Sequence, residues 1–144
     1  VYVWKGLRIM GLGGSIRYNR DEDAYQYTEW EMRRRVRKLW FKAHRAGGID
    51  LLLTHAPAGG LNDGFDKAHK GFDCFNDLLE EYQPRWFVHG HIHLNYDAKL
   101  PRVCSRGCTT VINATERYEF EIPDPDPQAR RRFFWKNPAF PTEE

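Results

Sequence analysis

The chain has 144 residues, 41% of them hydrophobic and 29% charged, with a formal net charge of +2. That length suits one ordinary domain with a single core, the composition argues against wholesale disorder, and so small a charge does not by itself call for a nucleic-acid or membrane partner. No segment approaches the ~20 apolar residues of a membrane span, no signal-peptide pattern opens the chain, and three cysteines are too few for a disulfide framework, so a cytoplasmic protein with reduced thiols is expected.

Residues 1–12 alternate apolar and polar positions around "WKG", which predicts a hairpin of two short strands. A glycine-rich loop, "GLGGSIRYN" (Gly11 to Asn19), follows. Thr28 and Glu31 form a Thr-x-x-Glu capping box. Behind it Met32, Val36, Leu39, Trp40 and Ala43 fall on one helical face, with Gly47 and Gly48 as the stop. "IDLLL", Ile49 to Leu53, is an unbroken apolar run of the kind covered on both faces of a sheet. It enters a loop rich in Gly, Asn and Asp, after which Phe72, Phe75, Leu78, Leu79 and Tyr82 make a second helical stripe ended by Pro84. "RWFV", Arg85 to Val88, is the next buried strand, so strand, helix and strand form a parallel crossover unit. From Val103 to Ile122 the pattern is β, with "TTVINA" and "RYEFEI" as antiparallel strands; residues 123–144 read as an extended tail. An α/β fold with a mixed sheet and flanking helices is expected.

Three of the six histidines lie in "FVHGHIHLNY", Phe87 to Tyr96. His55 stands just past the end of the strand 49–53, and His91 and His93 just past the strand 85–88. Ligands of open α/β sheets gather at the carboxyl ends of strands, and neighbouring strands lie ~4.8 Å apart. Imidazoles from two such ends can therefore converge. The i, i+2 spacing of His91 and His93 puts both on one side of an extended chain, and a pair of metal ions ~3.5–4 Å apart would let each ring take a different ion. Imidazole suits Zn, Mn, Fe or Ni better than Ca or Mg. His55, His91 and His93 are the expected metal ligands, while His89, still within the strand, is expected to be an ordinary core residue.

With "GLGGSIRYN", "LLLTHAP", "NDGFDKAHKGF" and "FVHGHIH" in this order, the chain resembles the C-terminal half of a calcineurin-like metallophosphoesterase from Gly6 to about Ile122. The resemblance implies a partial domain over residues 1–122, one half of an α/β/β/α sandwich, followed by the tail. It also implies hydrolysis of a phosphomonoester or phosphodiester by a metal-bound hydroxide at a centre of two divalent cations. His55 and His91 would then bind one ion and His93 the other. The family's earlier motifs, Asp-x-His, Gly-Asp-x-x-Asp and Gly-Asn-His, do not occur here. They normally precede the region of Val1, so the resemblance implies that this chain lacks the front half of its domain and is inactive alone, with no catalytic residue beyond the metal ligands.

The loop Leu61 to Phe72 offers Asn62, Asp63 and His69 as substrate contacts, His69 lying nearest the start of the second helix. Arg17, after the glycine-rich stretch, is a further candidate. The run Arg33 to Lys38 reads first as a solvated basic face. Attraction of nucleic acid by that run, or by "RRRFFW" (Arg130 to Trp135), is the less favoured reading, as is a non-catalytic remnant of the same fold.

Overall fold

The computed structural model describes residues 1–19, 25–93 and 100–123. The tail beyond Pro123, with Arg130 to Trp135, lies outside the described residues. Strands β1 (Tyr2–Trp4) and β2 (Leu7–Leu12) pair antiparallel across the two-residue turn Lys5-Gly6. Both turn residues have positive φ, 45° and 91°, the twist that matches a two-residue hairpin. The glycine-rich stretch expected as a loop is in part strand. Gly11 and Leu12 finish β2, and Ser15 and Ile16 form β3 (Ser15–Ile16), which pairs parallel with β4 (Gln26–Tyr27). Glycine content signalled a loop, but pairing of Gly11 with Leu53 and Leu12 with Thr54 satisfies this backbone in the sheet.

Helix α1 (Glu29–Arg45) starts at the expected capping box, with the Thr28 side chain accepting from the Glu31 amide and the Glu31 carboxylate accepting from the Thr28 amide. Next come β5 (Leu51–Thr54), α2 (Asp73–Tyr82) and β6 (Trp86–His89), with β5 and β6 parallel neighbours. Strands β7 (Val103–Arg106) and β8 (Thr109–Asn113) form a closing hairpin. The main sheet runs β1-β2-β5-β6-β8-β7, with a parallel centre and an antiparallel strand at each edge.

Register divides this sheet into two unlike faces. Met10, Leu52, Phe87 and Val111 are successive cross-strand partners, all fully buried, and they pack against Met32, Val36 and Ala43 of α1 and Phe75, Leu78 and Leu79 of α2. The opposite face carries Leu7, Leu51, Trp86, Val88 and Ile112, with Tyr118, Phe120 and Ile122 laid over it. Residues 117–122 were expected to be a strand and are not. Their alternation is real, since every second residue packs down, but no ladder of hydrogen bonds pairs them. Cover on this face is incomplete. Leu53, expected to be buried on both sides, is 46% exposed. A continuous apolar run reports a strand, not the presence of a second layer. Among the described residues no helix is long and apolar enough to cross a membrane.

Candidate metal centre

The histidines stand where the sheet's hydrogen bonding runs past its strand ends. The His55 amide donates to the Leu12 carbonyl at 3.1 Å, and the His55 carbonyl accepts from the Gly90 amide at 3.0 Å. His55 is thereby fixed between the ends of β2 and β6. Beyond β6 the chain turns sharply at Gly90-His91, where His91 has φ 70° and the Ile92 amide donates to the Gly90 carbonyl. Left-handed backbone is uncommon for a residue other than glycine. Here the buried Asn113 side chain holds the turn by donating to the Ile92 carbonyl at 2.7 Å.

The result is a close pair. His55 Nε2 lies 3.0 Å from His91 Nδ1. His91 Nε2 lies 2.8 Å from the Ala68 carbonyl, and a carbonyl only accepts, so Nε2 carries the proton and Nδ1 presents its lone pair toward His55. Burial lowers the His91 pKa, and the nearby rings of His55, His69 and His93 lower it further against the opposing pull of the Ala68 carbonyl. The neutral imidazole that results is the form a cation takes. Two nitrogens each ~2.0–2.1 Å from one ion lie roughly 3 Å apart, so the pair matches two ligands of a single ion. A backbone carbonyl behind the ligating ring is the usual orienting partner.

His69 comes to this pair from the loop between β5 and α2, its ring centroid 5.2 Å from that of His91. Asp66 accepts from its Nδ1 at 2.8 Å. The loop is folded back on itself: the Phe72 amide donates to the Pro57 carbonyl, the Gly59 amide to the Phe72 carbonyl, and a Cβ at Gly71 would stand 2.4 Å from the Ala58 backbone. Only glycine permits that approach. The other expected contacts have structural partners. Asn62 donates to the Pro101 carbonyl, Asp63 accepts from the Gly71 amide, and Arg17 sits against Glu31 and the Gln26 carbonyl in a different part of the molecule. His93 is exposed. Among the described residues no group of three or more His, Cys, Asp or Glu side chains is gathered to hold a metal ion. Among the described residues, then, the side chains brought together fit a histidine pair for one ion and not a two-ion centre.

His89 is 1% exposed, with Nδ1 3.0 Å from the Gly90 carbonyl and Nε2 without a partner among the described residues. Sequence reasoning missed Asn113 and the Ala68 carbonyl, both of which position His91. An asparagine at the end of an apolar strand was a signal for the first; a backbone carbonyl leaves none.

The chain is 37% identical over 71 residues to metallophosphoesterase domain-containing protein 1 from Homo sapiens and, equally, to that from Mus musculus. Part of this chain is related to the calcineurin-like metallophosphoesterases. The matched stretch is 47% of this chain and 20% of each relative, so the chain spans about a fifth of the length of the curated proteins it resembles. No protein-family model matches it. A solved crystal structure superposes on 80% of this chain and 43% of its own length, with a TM-score of 0.54 at 19% identity. At that identity the likeness is one of fold. This chain thus carries a mixed α/β sheet with the histidine pair at its strand ends.

Proposed function

We propose that this chain supplies the histidine side of a metal-dependent phosphoester hydrolase. The observation that carries the reading is the 3.0 Å approach of His55 Nε2 and His91 Nδ1, with the His91 proton held on the far nitrogen by Ala68. In this reading His55 and His91 bind one divalent cation, of the Mn, Zn, Fe or Ni class, and His93 binds a second. When bound, such ions supply positive charge for the phosphoryl oxygens and acidify water at neutral pH. The chain's own residues orient that chemistry. Ala68 and Asn113 hold the His91 ring, and Asp66 holds the His69 ring where it can meet a phosphoryl oxygen. The remaining ligands, carboxylates above all, come from a front half of the domain that packs where this sheet face is bare, at Tyr2, Trp4 and Leu53. That half also completes the sandwich.

The reading is tested by titrating Mn2+ or Zn2+ into the chain at pH 7.5 and following heat. His55→Ala and His91→Ala are each expected to weaken binding at least tenfold, the scale on which even outer-shell partners act, while His93→Ala leaves this first ion in place. In a polypeptide that carries the whole domain, His91→Ala is expected to lower hydrolysis of bis(p-nitrophenyl) phosphate more than a hundredfold. Unchanged turnover would falsify the assignment. A second reading, a non-catalytic remnant that holds one ion weakly, is favoured by the lack of a gathered carboxylate among the described residues. It predicts binding by the His55–His91 pair with no hydrolysis in the whole domain.

A further inference from the structure

Away from the histidines, a cleft of about 560 Å³ opens between the β3–β4 pair and the first half of α1, lined by Arg17, Tyr25, Tyr27, Arg34, Arg35 and Lys38 among others. The run expected as a uniform solvated face is divided by the fold. Arg33 turns to α2, where it pairs with Asp77. Arg34, Arg35 and Lys38 turn to the cleft, and among the described residues none has a carboxylate within ion-pair distance. Among the described residues the one acidic group lining the cleft, Glu31, is engaged by Arg17 and by the cap of α1. Arg35 is held rather than free-swinging. Its guanidinium lies 4.2 Å over the Tyr27 ring and donates to the Gly13 carbonyl at 2.6 Å. Arg34 lies over the Trp30 ring at 4.7 Å.

Aromatic faces are also left open. Tyr25 is 78% exposed, Trp30 64% and Tyr18 46%. Exposed rings beside cations that no carboxylate neutralises match one ligand chemistry, a phosphate backbone carrying planar bases. Arg34 and Lys38 are one turn apart, about 6 Å along the helix axis, a spacing suited to successive phosphates of an extended strand. An acidic peptide would use the cations and leave the rings idle.

We propose that this cleft binds single-stranded nucleic acid, with Arg34, Arg35 and Lys38 on phosphates and Tyr25 and Trp30 stacking on bases. The site shares no lining residue with the histidine centre, so it stands whether or not that centre holds metal.

The test uses the 144-residue chain in excess EDTA, with a fluorescein-labelled single-stranded oligonucleotide followed by anisotropy at 50 and 200 mM salt. Binding is expected at the lower salt and weaker at the higher. An Arg34→Glu, Lys38→Glu double variant should bind at least tenfold more weakly and lose ~1.4 from the slope of log affinity against log salt, ~0.7 for each phosphate contact. Tyr25 has φ 51°, a conformation asparagine tolerates, so Tyr25→Asn removes the ring without straining the turn and should cost roughly 5- to 150-fold. It also serves if the charge reversals unfold the helix by circular dichroism. The proposal is overturned by no binding at 50 mM salt, by binding that neither variant changes, by equal affinity for a duplex, or by polyglutamate competing as well as the oligonucleotide.

Discussion

His89 and His91 respond to acid in the same direction and for the same first reason. Burial lowers the pKa of each, and the His91 ring lowers that of His89 further. A histidine whose folded pKa is depressed stays neutral in the native state while the unfolded chain, near the ordinary value of 6.5, takes up a proton. Stability from these groups is therefore present above about pH 6.5 and is lost progressively as pH falls below it. In EDTA, the urea midpoint is expected to be lower at pH 5.5 than at pH 7.5, and His89→Gln should lessen the drop. Equal midpoints at both values would show that neither ring is kept neutral by the fold. Of the histidine cluster, the strand-end placement of His55 and His91 was legible in the sequence. The neighbourhood of His69 was not, because it depends on Gly71 letting the loop close on Ala58.

The two helices are joined by a cap that neither makes alone. Phe72 at the N-cap of α2 has no side chain to offer its first amides. The Glu29 carboxylate of α1 accepts from the Asp73 amide at 3.0 Å and the Cys74 amide at 2.8 Å. A carboxylate on two orphan helix amides is a charge-assisted contact, so Glu29→Ala should cost about 1–2 kcal/mol, at least as much as a lost N-cap. Urea unfolding at pH 7.5 measures this, and a change within ~0.3 kcal/mol would remove the cap from the account. Both helices, their stripes and the Thr28 box could be read directly, since periodicity and capping act over four to seven residues. Glu29 read only as first-turn charge on α1. Its partners lie 44 and 45 residues away, a separation local pattern does not encode.

Across the whole molecule, the helices cover one face of the sheet and leave the other partly bare. Tyr2, Trp4, Leu53 and Val103 are 63%, 53%, 46% and 42% exposed, and cross-strand register places them on the face of Ile9, Leu51, Val88 and Ile112. Large apolar side chains left open on one sheet face favour association. By sedimentation velocity the chain is expected to self-associate at micromolar concentration, and a Trp4→Lys, Leu53→Lys variant to run as a monomer with its fold intact. A monomeric parent chain would show that this face needs no partner.

What the sequence by itself determined were the parts ruled by near neighbours: the hairpin at Lys5-Gly6, both helices and the start of α1, the strands β5 and β6, and the histidines at their ends. Tertiary structure alone decided which face is covered, why residues 117–122 pack without pairing, how His91 meets both His55 and Ala68, and how one basic run divides between α2 and an aromatic cleft. The physical reason is common to all four. Periodicity states which side of a segment is apolar or charged, while the packing partner of that side is chosen by register and by contacts between residues far apart in the chain.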